Sequence, residues 1–232
     1  MINAHVIDLN VDARVDAAVN RSMDIYMNKL ASGFLEIGLE NTFQMSLADI
    51  ISKELDLNTY YDNERFMVKF EKNMPINGNK DYVDIVIEYK RDKETKLYLI
   101  ELKFKKVSDS APDLGNCESY IDIYNLDSHK NNTDNNTANV CGCYYIFLTN
   151  NEAYLSEPKS KKGTRAEIPM HDGYTIKANK RYNVTGNAAR KKIKKYPDGF
   201  LFSADYSIQY KHMEMPNVKT REKNYWFYII RM

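Results

Sequence analysis

The stretch VDIVIEYKRDKETKLYLIELKFKK (residues 83–106) contains two apolar runs joined by a polar link. Side chains alternate between the two faces of a strand, so the runs predict two neighbouring strands, and KRDKETK predicts the connection between them. In the second run, Ile100 and Leu102 face a core, whereas Glu101 and Lys103 point the other way. A strand this apolar has no structural need for two charges on one face, so these two residues are the first candidates for function.

A third charge lies on the preceding strand. Asp84 faces away from Val83, Ile85 and Ile87, which we expect to form the apolar side of that strand. If the apolar sides of the two strands lie together, Asp84 and Glu101 approach each other on the opposite face, with the lysine beside them. Two carboxylates in a partly buried place repel and desolvate each other, so they need a compensating cation.

Magnesium is the cation that we expect to meet this need. Mg²⁺ binds one or two carboxylates and leaves its other positions to water, a backbone carbonyl and a substrate phosphate. The bound ion polarises a phosphoryl oxygen and activates a water, and a nearby lysine holds that water or neutralises the phosphate. The acids and the lysine therefore indicate metal-assisted hydrolysis of a phosphodiester, with Mn²⁺ as an expected substitute for Mg²⁺.

Helices are predicted on both sides of these strands in the chain. Apolar residues recur at intervals of three or four over residues 12–57, which predicts helices. Residues 64–104 show strand patterning with short links, which favours an antiparallel meander. A helix over residues 117–130 and a central, apolar strand over residues 140–150 come next. From about residue 39 to residue 150 the predicted order is helix, three strands, helix, strand, which is an α/β arrangement.

With its elements in this order, the segment resembles the core of the PD-(D/E)XK nuclease superfamily, which has the restriction-endonuclease-like fold. The resemblance covers residues 39–150 and rests on VDIVIEYKRDKETKLYLIELKFKK. Val83 stands where the name of the family has proline. Asp81 competes with Asp84 as the first acid, but it lies at the start of the strand and faces the other way.

The resemblance implies a role for each motif residue. Asp84, Glu101 and Lys103 would form the catalytic set, with both acids binding the metal and the lysine positioning or activating the water. The carbonyl of Leu102, the variable middle residue of the motif, would be a further ligand. Glu40, at the start of the first core helix, would be an additional acid that reaches the metal through water.

The expected fold class is α/β, with a restriction-endonuclease-like core of helix, three-stranded meander, helix and strand. We expect one nuclease-like domain over residues 1–232. It would comprise an N-terminal helical extension (1–38), the catalytic core (39–150) and a basic C-terminal α+β subregion (151–232). In the last of these, YNVTGNAARKKIKKY predicts a basic helix.

The implied function is that of a Mg²⁺-dependent endonuclease acting on duplex DNA, of restriction type and working as a homodimer. Two alternatives stay open. The fold could be kept without catalysis, as a module that binds nucleic acid or protein. It could also serve as a nuclease in another role, such as repair or phage defence, because a fold does not fix function.

Charge is unevenly distributed along the chain. Residues 159–195 contain 12 Lys or Arg against two acids, a net charge of +10 in a chain whose total is +1. Such a basic segment is expected where one surface meets a polyanion, although a solvated loop would have the same composition. The candidate contacts to nucleic acid are Lys105, Lys106, Arg190, Lys191, Lys192, Lys194 and Lys195.

Each candidate also has a structural explanation. Glu101 and Lys103 could lie on the solvated face of an edge strand, where opposite charges pair across strands. Glu40 could be no more than a partner of the helix dipole. Glu88 shares the face of Asp84 but lies about 13 Å further along the strand, so we expect it to be a surface charge.

Several function classes and locations have no support. No run of about 18 apolar residues predicts a membrane span, and the N-terminal residues lack the pattern of a secretory signal. Three cysteines do not make a disulfide framework, so a cytoplasmic location is expected. The four histidines have no zinc-ligand spacing, and neither a phosphate-binding loop nor a serine-hydrolase elbow is present.

Overall fold

The fold is mixed α/β and is built on a six-stranded, mostly antiparallel sheet. The computed structural model describes residues 10–75, 81–109, 112–131, 139–160, 162–185, 192–216 and 223–232. None of the helices within these ranges is long and apolar enough to cross a membrane.

Over residues 39–150 the elements occur along the chain in the predicted order. The helices are α1 (Val11–Ala31), α2 (Glu40–Leu57), α3 (Pro112–Asn131) and α4 (Thr164–Glu167). The strands of the large sheet are β1 (Glu64–Asn73), β2 (Tyr82–Arg91), β3 (Glu94–Lys105), β4 (Asn139–Thr149), β9 (Lys211–Glu214) and β10 (Asn224–Arg231). Four two-residue strands, β5 (Thr175–Ile176), β6 (Arg181–Tyr182), β7 (Phe200–Leu201) and β8 (Tyr206–Ser207), and two 3₁₀ turns, Glu152–Tyr154 and Ile193–Lys195, complete the described chain.

The strand order of the large sheet is β1-β2-β3-β4-β10-β9, which confirms the predicted meander and places β4 inside the sheet. β1 pairs antiparallel with β2, and β2 pairs antiparallel with β3. β3 and β4 are parallel, and α3 forms the crossover that a parallel pair requires. β3 therefore lies inside the sheet, which contradicts the alternative in which Glu101 and Lys103 occupy the solvated face of an edge strand.

Two hydrophobic cores cover the two faces of the sheet. One, which we call the α1–α2 core, contains the buried faces of α1 and α2, with Ile100 and Leu102 from β3. The other, the α3 core, contains the buried face of α3, with Leu97 and Leu99 from β3. Because both faces of β3 are covered, its sequence is nearly continuously apolar instead of alternating.

The start of β2 is irregular, and here one sequence expectation is wrong. Val83 was expected to share a face with Ile85, but Val83 packs in the α3 core and Ile85 in the α1–α2 core. The β1–β2 ladder skips Asp84 and Glu71, and Glu71 has a left-handed φ of 43°. Strict alternation is lost at this break, and the described pairing between β2 and β3 begins only at Ile85.

An ion pair between Arg14 of α1 and Glu64 of β1 is buried where the helix meets the sheet. Its side chains are 3% and 0% exposed. Two Arg14 nitrogens donate to the two Glu64 oxygens at 2.8 and 2.9 Å, and the carboxylate also accepts from the Tyr60 amide and the Tyr89 hydroxyl. Burial alone would raise the pKa of Glu64, but the Arg14 and Tyr60 hydrogen bonds lower it to about 2.

This pair makes the stability of the fold depend on acidic pH. The ordinary pKa of a glutamate is 4.5 and the folded value is about 2, so Glu64 stabilises the fold above pH 4.5 and loses that contribution as pH falls towards 2. We expect the difference in unfolding free energy between wild type and Glu64→Gln to shrink over that interval. Urea unfolding at a series of pH values measures it, and a constant difference would contradict the assignment.

The C-terminal region differs from the predicted basic helix. Residues 186–191 lie outside the described residues, and the next element in the described chain is the single 3₁₀ turn Ile193–Lys195. Thr185 donates its hydroxyl to the Glu167 carboxylate. Near the end of the described chain, β10 lies between β4 and β9 in the large sheet.

Candidate active site

β3 extends beyond its described pairing with β2, and side-chain carboxylates bind the backbone amides there. The Leu102 amide donates to Asp84 Oδ2 at 2.8 Å, and the Phe104 amide donates to Glu40 Oε2 at 2.8 Å. The strand thus positions one acid from β2 and one from α2 on either side of Lys103. The structure brings together Asp84, Glu40 and the motif lysine, as the resemblance implied.

Gln44, one helical turn after Glu40, holds the backbone of Asp84. Its side-chain amide donates to the Asp84 carbonyl at 2.6 Å, and Gln44 is buried. This bond satisfies a carbonyl at the break in β2, where strand pairing is lost. The adjacency of Glu40 and Gln44 on α2 is expected from helical spacing, but nothing in the sequence shows that Gln44 contacts β2.

Glu101 and Asp84 lie next to each other in the interior of the protein. Glu101 is 7% exposed, and a hydrogen bond joins its carboxyl group to that of Asp84. Burial and the charges of Asp122 and Asp84 raise the pKa of Glu101 well above its ordinary value. Burial also raises the pKa of Asp84, although the hydrogen bond from the Leu102 amide and the charge of Lys103 both act to lower it. Both carboxyl groups are therefore less acidic than ordinary ones, and a cation beside them would favour their charged forms.

Lys103 lies between two acids from two different helices. Its ammonium is 3.2 Å from Asp122 Oδ2 on α3 and 3.5 Å from Glu40 Oε1 on α2. Burial would lower the pKa of Lys103, but the charges of Asp122, Glu40 and Asp84 raise it overall. Lys103 therefore keeps its positive charge, and the two acids fix the position of its ammonium group. Its side chain is only 14% exposed.

Asp122 is the site residue that the sequence reasoning missed. It approaches Lys103 from α3, and burial raises its pKa above the ordinary value despite the opposing lysine charge. The sequence offers one signal, because Asp122 is the single acid inside the apolar run YIDIY. Helical spacing does not reveal that this position faces β3, because the relation of α3 to the sheet is set by packing.

A cavity of about 360 Å³ opens beside Lys103, and neither Asp84 nor Glu101 lines it. Its lining consists of Ile121 and of charged side chains from α2, β3, α3 and the basic segment, namely Glu40, Lys103, Lys105, Glu118, Asp122 and Lys192. Glu118 of α3 uses both oxygens, accepting from Lys105 at 2.7 Å and pairing with Lys192 at 2.9 Å. Lys192, which belongs to the basic segment of residues 159–195, is thus held at the edge of the cavity, which we call the cleft.

Among the other candidate contacts to nucleic acid, Lys106, Lys194 and Lys195 do not line this cavity. Lys106 donates to the Gly38 carbonyl at 2.8 Å, so its ammonium lies against the α1–α2 connection. Lys194 and Lys195 are exposed on the 3₁₀ turn. Arg190 and Lys191 lie outside the described residues.

The donor set fits a hard divalent cation with few protein ligands. The described ranges contain no group of three or more His, Cys, Asp or Glu side chains arranged to hold a metal. Asp84 and Glu101 provide two adjacent carboxyl groups, and burial raises the pKa of both. Mg²⁺ needs one or two carboxylates and takes water for the rest, so the pair matches magnesium better than zinc.

Comparisons of the chain with protein-family models, with curated proteins and with solved structures found no significant match. Function must therefore be inferred from the site itself.

Proposed function

We propose that this protein is a Mg²⁺-dependent endonuclease that hydrolyses phosphodiester bonds in duplex DNA. The observation that carries the proposal is that Asp84 and Glu101 adjoin each other in the interior beside Lys103, which lines an open cavity. A purely structural site would not need two adjacent carboxyl groups whose pKa values are both raised by burial. Lys105 and Lys192 at the edge of the cleft provide positive charge for the phosphate backbone.

Each residue has a defined task in the proposed hydrolysis. Mg²⁺, held by Asp84 and Glu101, would polarise the scissile phosphate and lower the pKa of the attacking water. Lys103 orients that water and offsets the negative charge that develops as the water oxygen attacks phosphorus. The P–O bond to the leaving oxygen breaks, and that oxygen takes a proton from solvent. Glu40 and Asp122 hold the lysine in place.

The proposal includes membership of the restriction-endonuclease-like fold. Its support is the order of α2, β1–β3, α3 and β4, together with the parallel pairing of β3 and β4 through a helical crossover. We further propose a restriction-type enzyme that acts as a homodimer in the cytoplasm. Cutting both strands of a duplex favours two sites, and the three cysteines are free, as in a reducing compartment.

A second candidate, a non-catalytic module of the same fold, has one observation in its favour. Asp84 and Glu40 each accept a hydrogen bond from the backbone of β3, and such bonds stabilise a strand without any metal. This explanation leaves Glu101 unaccounted for, because a buried carboxyl beside another acid costs stability and caps no backbone group in the described structure.

Metal-dependent cleavage distinguishes the two candidates. We expect supercoiled plasmid to be cut by the wild-type chain with Mg²⁺ and not with EDTA, and Asp84→Asn to cut at least a hundredfold more slowly. Asp49→Asn, an exposed acid on α2 paired with Lys53, is the matched control and should cut like wild type. Equal cleavage by the Asp84 variant, or no Mg²⁺-dependent cleavage by wild type, would reject the proposal.

A further inference from the structure

Three lysines gather around one buried glutamate on β1 and β2. Glu88 Oε2 lies 2.5 Å from Lys69 Nζ and 3.7 Å from Lys72 Nζ, and Glu88 Oε1 lies 2.6 Å from Lys90 Nζ. The Glu88 side chain is 6% exposed, so the sequence expectation of a surface charge is wrong. The lysine side chains are 31–42% exposed and reach solvent. We call these three residues, Lys69, Lys72 and Lys90, the lysine cluster.

The lysine cluster lies on the same face of the sheet as the catalytic residues. Glu88 is the register partner of Leu97, and Lys69 is the partner of Val86. Leu97 and Val86 both pack in the α3 core, and Glu101 comes after Leu97 on the same face of β3 at alternate positions. α3 packs chiefly on β3 and β4, which leaves the lysines beside the helix and not beneath it.

The cluster carries more positive charge than its carboxylate needs. One ammonium suffices to neutralise Glu88, whereas three leave a net charge of +2 at this point. This excess of positive charge favours an external anion on the same surface. Lysine is a compact point charge on a flexible stem, which suits contacts to successive phosphates.

We propose that the lysine cluster is a second contact surface for nucleic acid, which binds the sugar–phosphate backbone beside the catalytic cleft. The identity of the polyanion as duplex DNA rests on the proposed function. Glu88 is four residues from Asp84, about 13 Å along the strand. Since duplex DNA rises about 3.4 Å per base pair, a duplex lying along β2 would meet the cluster about four base pairs from the point of cleavage. Lys105 and Lys192, held by Glu118 beside α3, contact the substrate at the cleft itself.

Salt-dependent binding tests the proposal without any need for cleavage. A short fluorescent DNA duplex is titrated with protein in EDTA, at salt concentrations from about 50 to about 200 mM. A lysine that contacts a phosphate contributes about one to the slope of log affinity against log salt. Because Glu88 balances one of the three ammonium groups, we expect the variant Lys69→Gln/Lys72→Gln/Lys90→Gln to lose about two from that slope and to bind roughly tenfold or more weakly.

Two further variants keep the result interpretable. The control Lys29→Gln/Lys53→Gln/Lys211→Gln removes the same charge from α1, α2 and β9, on the other side of the sheet, and should keep the wild-type slope. Because the main variant leaves Glu88 buried without a partner, the same three substitutions are also made with Glu88→Gln. This variant removes the buried charge, and we expect it to fold and to show the same loss of slope.

The outcomes separate this proposal from the proposed function. Unchanged slope in the cluster variants, or equal loss in the control variant, would overturn the cluster as a contact surface even if the wild-type protein cuts DNA. A wild-type protein that does not bind duplex DNA would also overturn it. Binding with the expected loss of slope, but without Mg²⁺-dependent cleavage, would support the surface and reject the endonuclease.

Discussion

Replacing Lys103 by methionine is expected to slow Mg²⁺-dependent DNA cleavage by about a hundredfold to a thousandfold. Methionine keeps the length and apolar stem of the side chain but removes the ammonium group. In the wild-type protein that group is held at 3.2 Å from Asp122 and 3.5 Å from Glu40, so its position is fixed before substrate arrives. Single-turnover cleavage of a labelled duplex at saturating protein measures the loss.

The loss should appear in the chemical step and not in binding. Asp84 and Glu101 remain in the variant, so the carboxylates proposed to bind Mg²⁺ are unchanged, and we expect duplex affinity in EDTA to change little. Lys53→Met, a lysine that is 69% exposed on α2, is the matched control and should cleave at the wild-type rate. If Lys103→Met cleaved as fast as this control, the role assigned to the ammonium would be wrong.

Replacing Arg14 by alanine is expected to lower the free energy of unfolding by about 3–5 kcal/mol. The loss arises because Glu64 would stay buried, at 0% side-chain exposure, without its bidentate partner. Arg14 also donates to the Asn58 carbonyl at 2.7 Å, so the end of α2 loses a contact as well. Urea unfolding at neutral pH, followed by circular dichroism, measures the difference.

A matched arginine on the same helix shows whether burial is the cause. Arg21 pairs with Glu54 at 3.2 Å, but its side chain is 61% exposed. Arg21→Ala should therefore cost only about 0–1 kcal/mol. Similar losses in the two variants would contradict the view that burial makes the Arg14 pair critical. Replacing both Arg14 and Glu64 by apolar residues should recover much of the stability, because no buried charge is left unpaired.

The sequence was most informative about the central strands. Alternation and apolar content predicted β2, β3 and the meander, and the apolar run of residues 140–150 predicted a central strand. These predictions succeed because the burial of a strand follows the pattern of apolar and polar residues within that strand, which can be read from consecutive residues. The element order of residues 39–150 is confirmed for the same reason.

The errors arose where local pattern does not control structure. Alternation placed Val83 with Ile85, but the break in β2 at Asp84 sends the two side chains into different cores. Glu88 was expected to be a surface charge because it lies about 13 Å from Asp84 along the strand, but three lysines from β1 and β2 pair with it where it is buried. Neither result can be read from residue spacing.

By itself, the sequence determined which residue types can do chemistry here, and that Glu101 and Lys103 share a face of a buried strand. Only the tertiary structure decided that Asp84, Glu40 and Asp122 reach the same place. Two backbone amides of β3, those of Leu102 and Phe104, donate to side chains, and these hydrogen bonds position Asp84 and Glu40. Asp122 lies beside Lys103 because α3 connects the parallel strands β3 and β4. Such contacts depend on how distant segments pack, which no short stretch of sequence records.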